Sequence, residues 1–270
     1  MEQTDAEDLY LIARVNINVA DIRRENKFRS ERISQALFNE LVEISDNRDN
    51  YSRVRTADNY EGWIADHFLT EHDSFGNETS FLVTCSLAKA YERPDPDSRR
   101  LTAIPYGCRL YGELEGDFLR ISADRYGVLF IPLKELVKAD KKAALLAPDA
   151  RNIITEAEKF LGAPYLWGGR TFFGFDCSGF VQCIMRRFGV DLPRDSKDQK
   201  KRGKEIKRSE IRAGDLLFFP RHVTLAVSGN CMIHSSTSNG GVAYNCLDPG
   251  NPLYSEYYDK NFNMARRVIE

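Results

Sequence analysis

The chain has 270 residues with 38 Lys and Arg against 40 Asp and Glu, a formal charge of −2 that gives no general reason to bind nucleic acid or anionic lipid. At 42% hydrophobic and 29% charged it has the composition of a folded soluble protein, long enough for one to three domains. No apolar run approaches the roughly 18 residues a membrane-spanning helix needs, so neither a membrane nor nucleic acid is an expected partner.

Residues 1–11 are acidic and lack the basic start and apolar run of a secretory signal. The expected location is the cytoplasm, or the wall side of the membrane if an export segment has been removed. From Leu9 to Leu145 the chain offers short runs rich in β-branched and aromatic residues, split by polar or glycine turns. Alternation in 13–19, 41–44, 51–54 and 62–64 predicts half-buried strands, and 81–84, 108–112, 118–121 and 127–131 form a second such set. The polar stretch 71–79 separates them. Two small antiparallel barrels result, residues 1–72 and 73–147.

After Asp149 the period changes. Ile153, Ile154, Ala157, Phe160 and Leu161 mark one face of a helix, stopped by Gly162, Ala163 and Pro164. A glycine-bearing loop, 167–174, leads to Cys177, which opens a second helix running to Phe188. Strand-like runs follow at 215–219, 222–228, 231–234 and 265–269, so residues 148–270 read as an α+β domain.

Cys177 is the residue placed for chemistry. A thiol becomes nucleophilic as the thiolate, and a helix N-terminus and a neighbouring imidazole both favour that form. The same N-terminus offers a backbone N–H to a developing oxyanion. Of the four histidines, His67, His72, His222 and His234, the last two stand at adjoining ends of a hairpin turned near Gly229 and Asn230. There His222 can serve Cys177 as base while His234 fixes its tautomer. A zinc site from these three residues has too few ligands and no close pairing, so no metal or cofactor is expected. None of Cys85, Cys108, Cys177, Cys183, Cys231 and Cys246 forms a CxxC pair, and a core this large needs no staples. The thiols are expected reduced, with Cys183 a buried small hydrophobe.

The runs Tyr165-Leu166-Trp167-Gly168-Gly169 and Gly174-Phe175-Asp176-Cys177-Ser178-Gly179-Phe180-Val181 closely resemble the nucleophile region of the NlpC family of papain-like cysteine peptidases. The resemblance continues in order through Leu192-Pro193-Arg194-Asp195-Ser196 with Gln199, Gly214 to Phe219, His222-Val223 and Ile233-His234-Ser235-Ser236. Residues 18–23, 34–40 and 59–64 resemble strands of bacterial SH3-like domains, as do 101–107 in the second set. The resemblance implies a papain-like catalytic domain, a helix bundle packed on an antiparallel sheet, preceded by two SH3-like barrels. It makes Cys177 the nucleophile, His222 the base and His234 the orienting residue.

It further implies cleavage of peptidoglycan stem peptides between γ-linked D-glutamate and an L-diamino acid; separately, a monomer is expected. The layout resembles the γ-D-glutamyl-L-diamino-acid endopeptidases that take a free N-terminal L-alanine, whose first SH3-like domain closes the cleft at that end. On this resemblance Tyr165, Trp167, Asp176, Ser178 and Ser196 line the groove, and Glu40 and Tyr60 meet the free amine, a pairing that carboxylate and phenol can make. Ser178 and Ser196 also suit helix caps. Arg170 departs from the small or hydroxyl residue usual in the family, beside the site. The basic run from Lys197 to Arg208, interleaved with acids, reads as a solvated face. The rival readings are another amidase or acyltransferase specificity, and a wall-binding module with an inert catalytic domain.

Overall fold

The computed structural model describes residues 11–72, 79–139 and 145–269. The first seven strands are β1 Leu11–Val15, β2 Val19–Arg23, β3 Arg32–Leu37, β4 Leu41–Arg48, β5 Tyr51–Arg55, β6 Glu61–Ala65 and β7 Leu69–Glu71. They form one antiparallel sheet in the order β3-β2-β6-β5-β4-β1-β7. Alternate residues turn inward, so Ala20, Ile22, Val54 and Ile64 meet in a small core. Gly62 lets β2 and β6 cross closely, because a Cβ there would lie 2.5 Å from Ile22 Cγ2.

The next seven are β8 Thr79–Val83, β9 Leu87–Tyr91, β10 Arg100–Pro105, β11 Arg109–Glu115, β12 Phe118–Ala123, β13 Gly127–Pro132 and β14 Leu136–Lys138. Their order, β10-β9-β13-β12-β11-β8-β14, repeats that of the first sheet strand for strand. Each of these SH3-like units buries its own core, but the two are not independent. Leu37 and Phe38, at the end of β3, join the second core beside Ile104, Leu110 and Ile131. Asn18 Nδ2 donates to Ala103 O at 2.7 Å, Tyr126 donates to Asn18 Oδ1 at 2.6 Å, and Arg14 pairs with Asp124 at 2.7 Å.

The last unit comprises α1 Ala150–Glu158, the short hairpin β15 Arg170–Thr171 and β16 Gly174–Phe175, α2 Cys177–Arg186 and the single turn α3 Ser196–Gln199. Strands β17 Lys204–Ile206, β18 Leu216–Phe219, β19 His222–Ala226, β20 Cys231–Ser236 and β21 Gly241–Cys246 follow, with α4 Glu256–Lys260 and β22 Met264–Arg267 at the end. The sheet is antiparallel, in the order β17-β22-β18-β19-β20-β21, and α2 packs on β19 and β20. Phe160, Phe175 and Phe180 fill the interface edge to face, with centroids 5.2, 5.6 and 6.4 Å apart. Tyr106 of the second unit enters this core, lies edge-on to Phe160 and donates to the buried Glu156 at 2.7 Å.

The helical layer is slight, and its fold is papain-like. One expectation is overturned: Cys231 and Cys246, directly opposite in the β20–β21 register, are joined as a disulfide. Cysteine number carries no information on which residues a ladder will bring face to face. Cys85, Cys108, Cys177 and Cys183 are free.

Candidate active site

The loop before α2 is built to deliver Cys177 at a helix mouth. Asp176 is extended, with φ −89°, and its Oδ1 accepts the Gly179 N–H at 2.7 Å, a side-chain N-cap. Its Oδ2 accepts the Gly168 N–H at 2.9 Å, which folds the glycine-bearing loop back on the helix. Only a residue without Cβ fits at 179, since that atom would lie 2.2 Å from the Gly169 carbonyl oxygen. Arg194, 2% exposed, grips both Asp176 oxygens at 3.0 and 2.5 Å. It also donates to Ser178 Oγ at 2.9 Å and, from Nε, to Ser34 Oγ of the first unit at 3.0 Å. A buried arginine thus ties cap, helix and neighbouring domain together.

Across the groove, β19 opens with His222 and β20 carries His234. His222 Nε2 lies 2.7 Å from His234 Nδ1, and His234 Nε2 lies 2.9 Å from Asn245 Oδ1 on β21. Asn239 donates to that same Asn245 oxygen at 2.8 Å, fixing which end of the amide faces His234. An amide oxygen only accepts, so His234 carries its proton on Nε2 and accepts on Nδ1. His222 then donates from Nε2, which leaves its Nδ1 unprotonated. That is the tautomer a general base requires. Tyr258 covers the pair, stacked on His222 at 5.5 Å and edge-on to His234 at 5.0 Å.

Two hollows meet at Cys177 and His222. The first, about 630 Å³, runs beneath the first SH3-like unit and is walled by Arg24, Glu31, Tyr60, Trp167, Asp195 and Lys200, among others. The second, about 550 Å³, leads the other way between Tyr165, Thr237, Ser255 and Tyr257. Trp167, Pro220 and Arg221 border both.

Burial dominates the electrostatics. It pushes the Cys177 thiol up to about 11, with Asp176 adding to the rise, while the Val223 N–H, Arg194 and the Ser178 N–H pull toward the thiolate. Burial, then His234, lowers His222 to about 3, and burial lowers His234 to about 4 against the opposing Asn245 hydrogen bond. Both rings are therefore neutral near pH 7, and His222 is able to accept a proton there.

The NlpC/P60 family model matches residues 162–267, and the model of the bacterial dipeptidyl-peptidase SH3 domain matches residues 22–69. A Gamma-D-glutamyl-L-lysine dipeptidyl-peptidase from Bacillus cereus is 30% identical over 262 residues, covering 87% of this chain and 75% of that one. The chain belongs to the NlpC/P60 family. A second protein of that name, from Bacillus subtilis, is 29% identical over 87% of this chain and 81% of its own. A crystal structure of an NlpC/P60 family protein from Bacillus cereus superposes with a TM-score of 0.82 at 23% identity, over 96% of this chain and 100% of that one, and so shares its fold.

Within this NlpC/P60 cysteine peptidase, the side chains singled out from sequence fall into three groups. Cys177 and His222 border both hollows, and His234 stands behind His222. Tyr60, Trp167, Asp176, Ser178 and Ser196 line the first hollow, and Tyr165 with Trp167 the second. Asp176 and Asp195, not the serines after them, are the N-caps of α2 and α3. Glu40 is the correction. It follows the left-handed turn at Asn39, φ 62°, and is not among the residues that line the groove. It accepts the Leu37 N–H at 2.9 Å and pairs with Arg170 at 3.5 Å, bordering a different hollow with Arg109 and Arg186. Glu31, just ahead of β3, occupies the groove instead, beside Tyr60. Sequence reasoning also missed Asn245, two residues along β21 from the cross-strand partner of His234 and hence on the same face. Nothing in the sequence marked Tyr258.

Proposed function

We propose that this NlpC/P60 peptidase hydrolyses the γ-D-glutamyl–L-diamino acid bond of peptidoglycan stem peptides whose N-terminal L-alanine is free. The observation that carries the reading is the end of the first hollow, where Glu31, Tyr60 and Asp195 gather under the first SH3-like unit. Trp167 Nε1 donates to Glu31 Oε1 at 2.8 Å and Arg24 to Oε2 at 2.6 Å. Tyr60 donates to Asp195 Oδ1 at 3.2 Å. Each carboxylate oxygen keeps a further acceptor site for an ammonium group. Arg24 and Lys200 on the same walls suit the α-carboxylate of D-glutamate. A short zwitterion matches a hollow that presents both signs. The names of the two Bacillus relatives support the same bond.

The chemistry then runs through the relay. His222 Nδ1 takes the thiol proton as sulfur attacks the γ-carbonyl carbon, and the first-turn N–H of Cys177, which has no intrahelical acceptor, meets the oxyanion. His222⁺ returns the proton to the departing amine, leaving a thioester on Cys177. Water, activated by the same ring, releases L-Ala-γ-D-Glu.

Incubation with L-Ala-γ-D-Glu-diaminopimelate followed by mass spectrometry tests this. L-Ala-γ-D-Glu is the expected product, and Cys177→Ala abolishes its release. N-acetylation of the alanine removes the charge Glu31 would meet and lowers kcat/KM on the order of tenfold or more. Glu31→Gln raises KM for the free peptide by a similar factor, while Glu40→Gln does not. Equal rates on free and acetylated peptides would discard the free-amine reading.

A further inference from the structure

A hollow of about 280 Å³ lies where the three units meet, and it shares no lining residue with either hollow at Cys177. The first unit contributes Leu37, the second Leu82 and Tyr106, and the catalytic unit Leu145 and the C-terminal half of α2. Among the described residues its charged lining is arginine alone: Arg109, Arg170, Arg186 and Arg187, with no Asp or Glu.

Three of these arginines have partners. Arg170 and Arg186 reach Glu40 at 3.5 Å and Asp191 at 3.8 Å, acids that border the adjoining hollow. Arg109 donates from Nη1 to Ser80 Oγ at 3.1 Å and Ala139 O at 3.0 Å. Arg187 differs. It is 8% exposed, and its Nε and Nη1 are buried without a hydrogen-bond partner. A guanidinium stays charged, so burying one unpaired is unfavourable until an anion meets it. The dipole of α2 favours a cation at its C-terminal end, yet neither nitrogen donates to a terminal carbonyl. One turn back, Gln182 also lines the hollow, and its Oε1 is buried and unpartnered too. Its Nε2 donates to Asp58 Oδ2 at 2.6 Å and Leu192 O at 2.8 Å, which fixes the amide in that orientation.

The unmet groups require a ligand rich in acceptors that also carries one donor. A phosphate group that keeps an O–H has both. We propose that this hollow is a phosphate site, taking the free ion or a small phosphomonoester, with Arg187 as its principal cation. Guanidinium and phosphate match in charge and in bidentate geometry. Leu37, Leu82 and Leu145 offer apolar walls to a short ester group, and the volume suits nothing much larger. A ligand held there bears on all three units at once and stabilises the folded chain by mass action. The inference is independent of which bond the peptidase cuts.

Calorimetric titration of the full chain at about pH 6, where phosphate and its monoesters retain an O–H in good part, tests this. The probes are inorganic phosphate, phenyl phosphate and sulfate, with chloride at matched ionic strength as the blank. Phosphate is expected to bind with a Kd on the order of 0.1–1 mM, and sulfate, similar in shape but without the proton, about tenfold more weakly. Phenyl phosphate binding more tightly than phosphate identifies an ester as the occupant; the reverse order identifies the free ion. Arg187→Met should lose about tenfold or more in phosphate affinity. Without phosphate its thermal midpoint should match or exceed the wild type's, because the substitution removes an unpaired buried charge. Arg24→Gln, in the substrate groove, should bind phosphate as the wild type does. No heat beyond that of chloride, equal binding of sulfate, full affinity in Arg187→Met, or a loss in Arg24→Gln each overturns the inference. So does an Arg187→Met midpoint lowered equally with and without phosphate, since the arginine would then be a structural cation only.

Discussion

At the scale of single residues the site runs on neutral rings. Because His222 and His234 are held at about 3 and about 4, below the ordinary imidazole value of roughly 6.5, the base remains unprotonated well into acid. The acid limb of kcat/KM is expected far below 6.5. Stability has the opposite appetite for protons. Below about 6.5 the unfolded chain binds protons that the folded rings refuse, so stability is complete above that pH and drains away toward 3 to 4. Thermal midpoints measured between pH 7 and 5 should fall, and His234→Gln should flatten the fall; an unchanged slope would show that these rings do not drive it. Cys177, His222 and His234 stand out in the sequence because thiol chemistry demands a helix mouth and an imidazole, and the structure puts the first two on the same two hollows with His234 behind. Asn245 and Glu31 do not. A lone asparagine or glutamate carries no local signature: Asn245 meets His234 only through the β20–β21 register, and Glu31 meets Trp167 from another domain.

Among the elements, the junction of loop and α2 hangs on one buried ion pair. Asp176 is buried and acceptor-only, and Arg194 satisfies it from the segment ahead of α3. Arg194→Met would leave that carboxylate without its cation, at about 3–5 kcal/mol by urea unfolding. Adding Asp176→Asn should recover part of the loss, and full additivity would deny the coupling. Strand periodicity made both SH3-like units legible, whereas their shared edge at Leu37 and Phe38 was not, since an apolar pair at a strand end looks the same whether it fills its own core or a neighbour's. The Cys231–Cys246 bond was hidden for a similar reason. Only the register of β20 against β21 brings those residues opposite.

For the whole molecule, the repeated strand order serves two different purposes. The first unit is a wall of the groove; the second contacts both the first and the catalytic core, through Asn18 on one side and Tyr106 on the other. Arg170, the family departure noted from sequence, adds a buried bolt beside that of Arg194: 5% exposed, it donates from Nη1 to Gln35 O at 2.6 Å and from its backbone to Gln35 Oε1 at 3.0 Å. Arg170→Ala should loosen the wall without touching the relay, raising KM several-fold at nearly constant kcat and costing about 1–3 kcal/mol of stability. A matching fall in kcat would instead place Arg170 in the chemistry. A groove that holds a free amine at Glu31, as proposed, has a consequence for the cell. A cleft that counts inward from a bare terminus cannot admit a stem still hanging from its sugar strand, so intact mesh is spared by geometry, with no inhibitor, precursor form or separate compartment required to protect it.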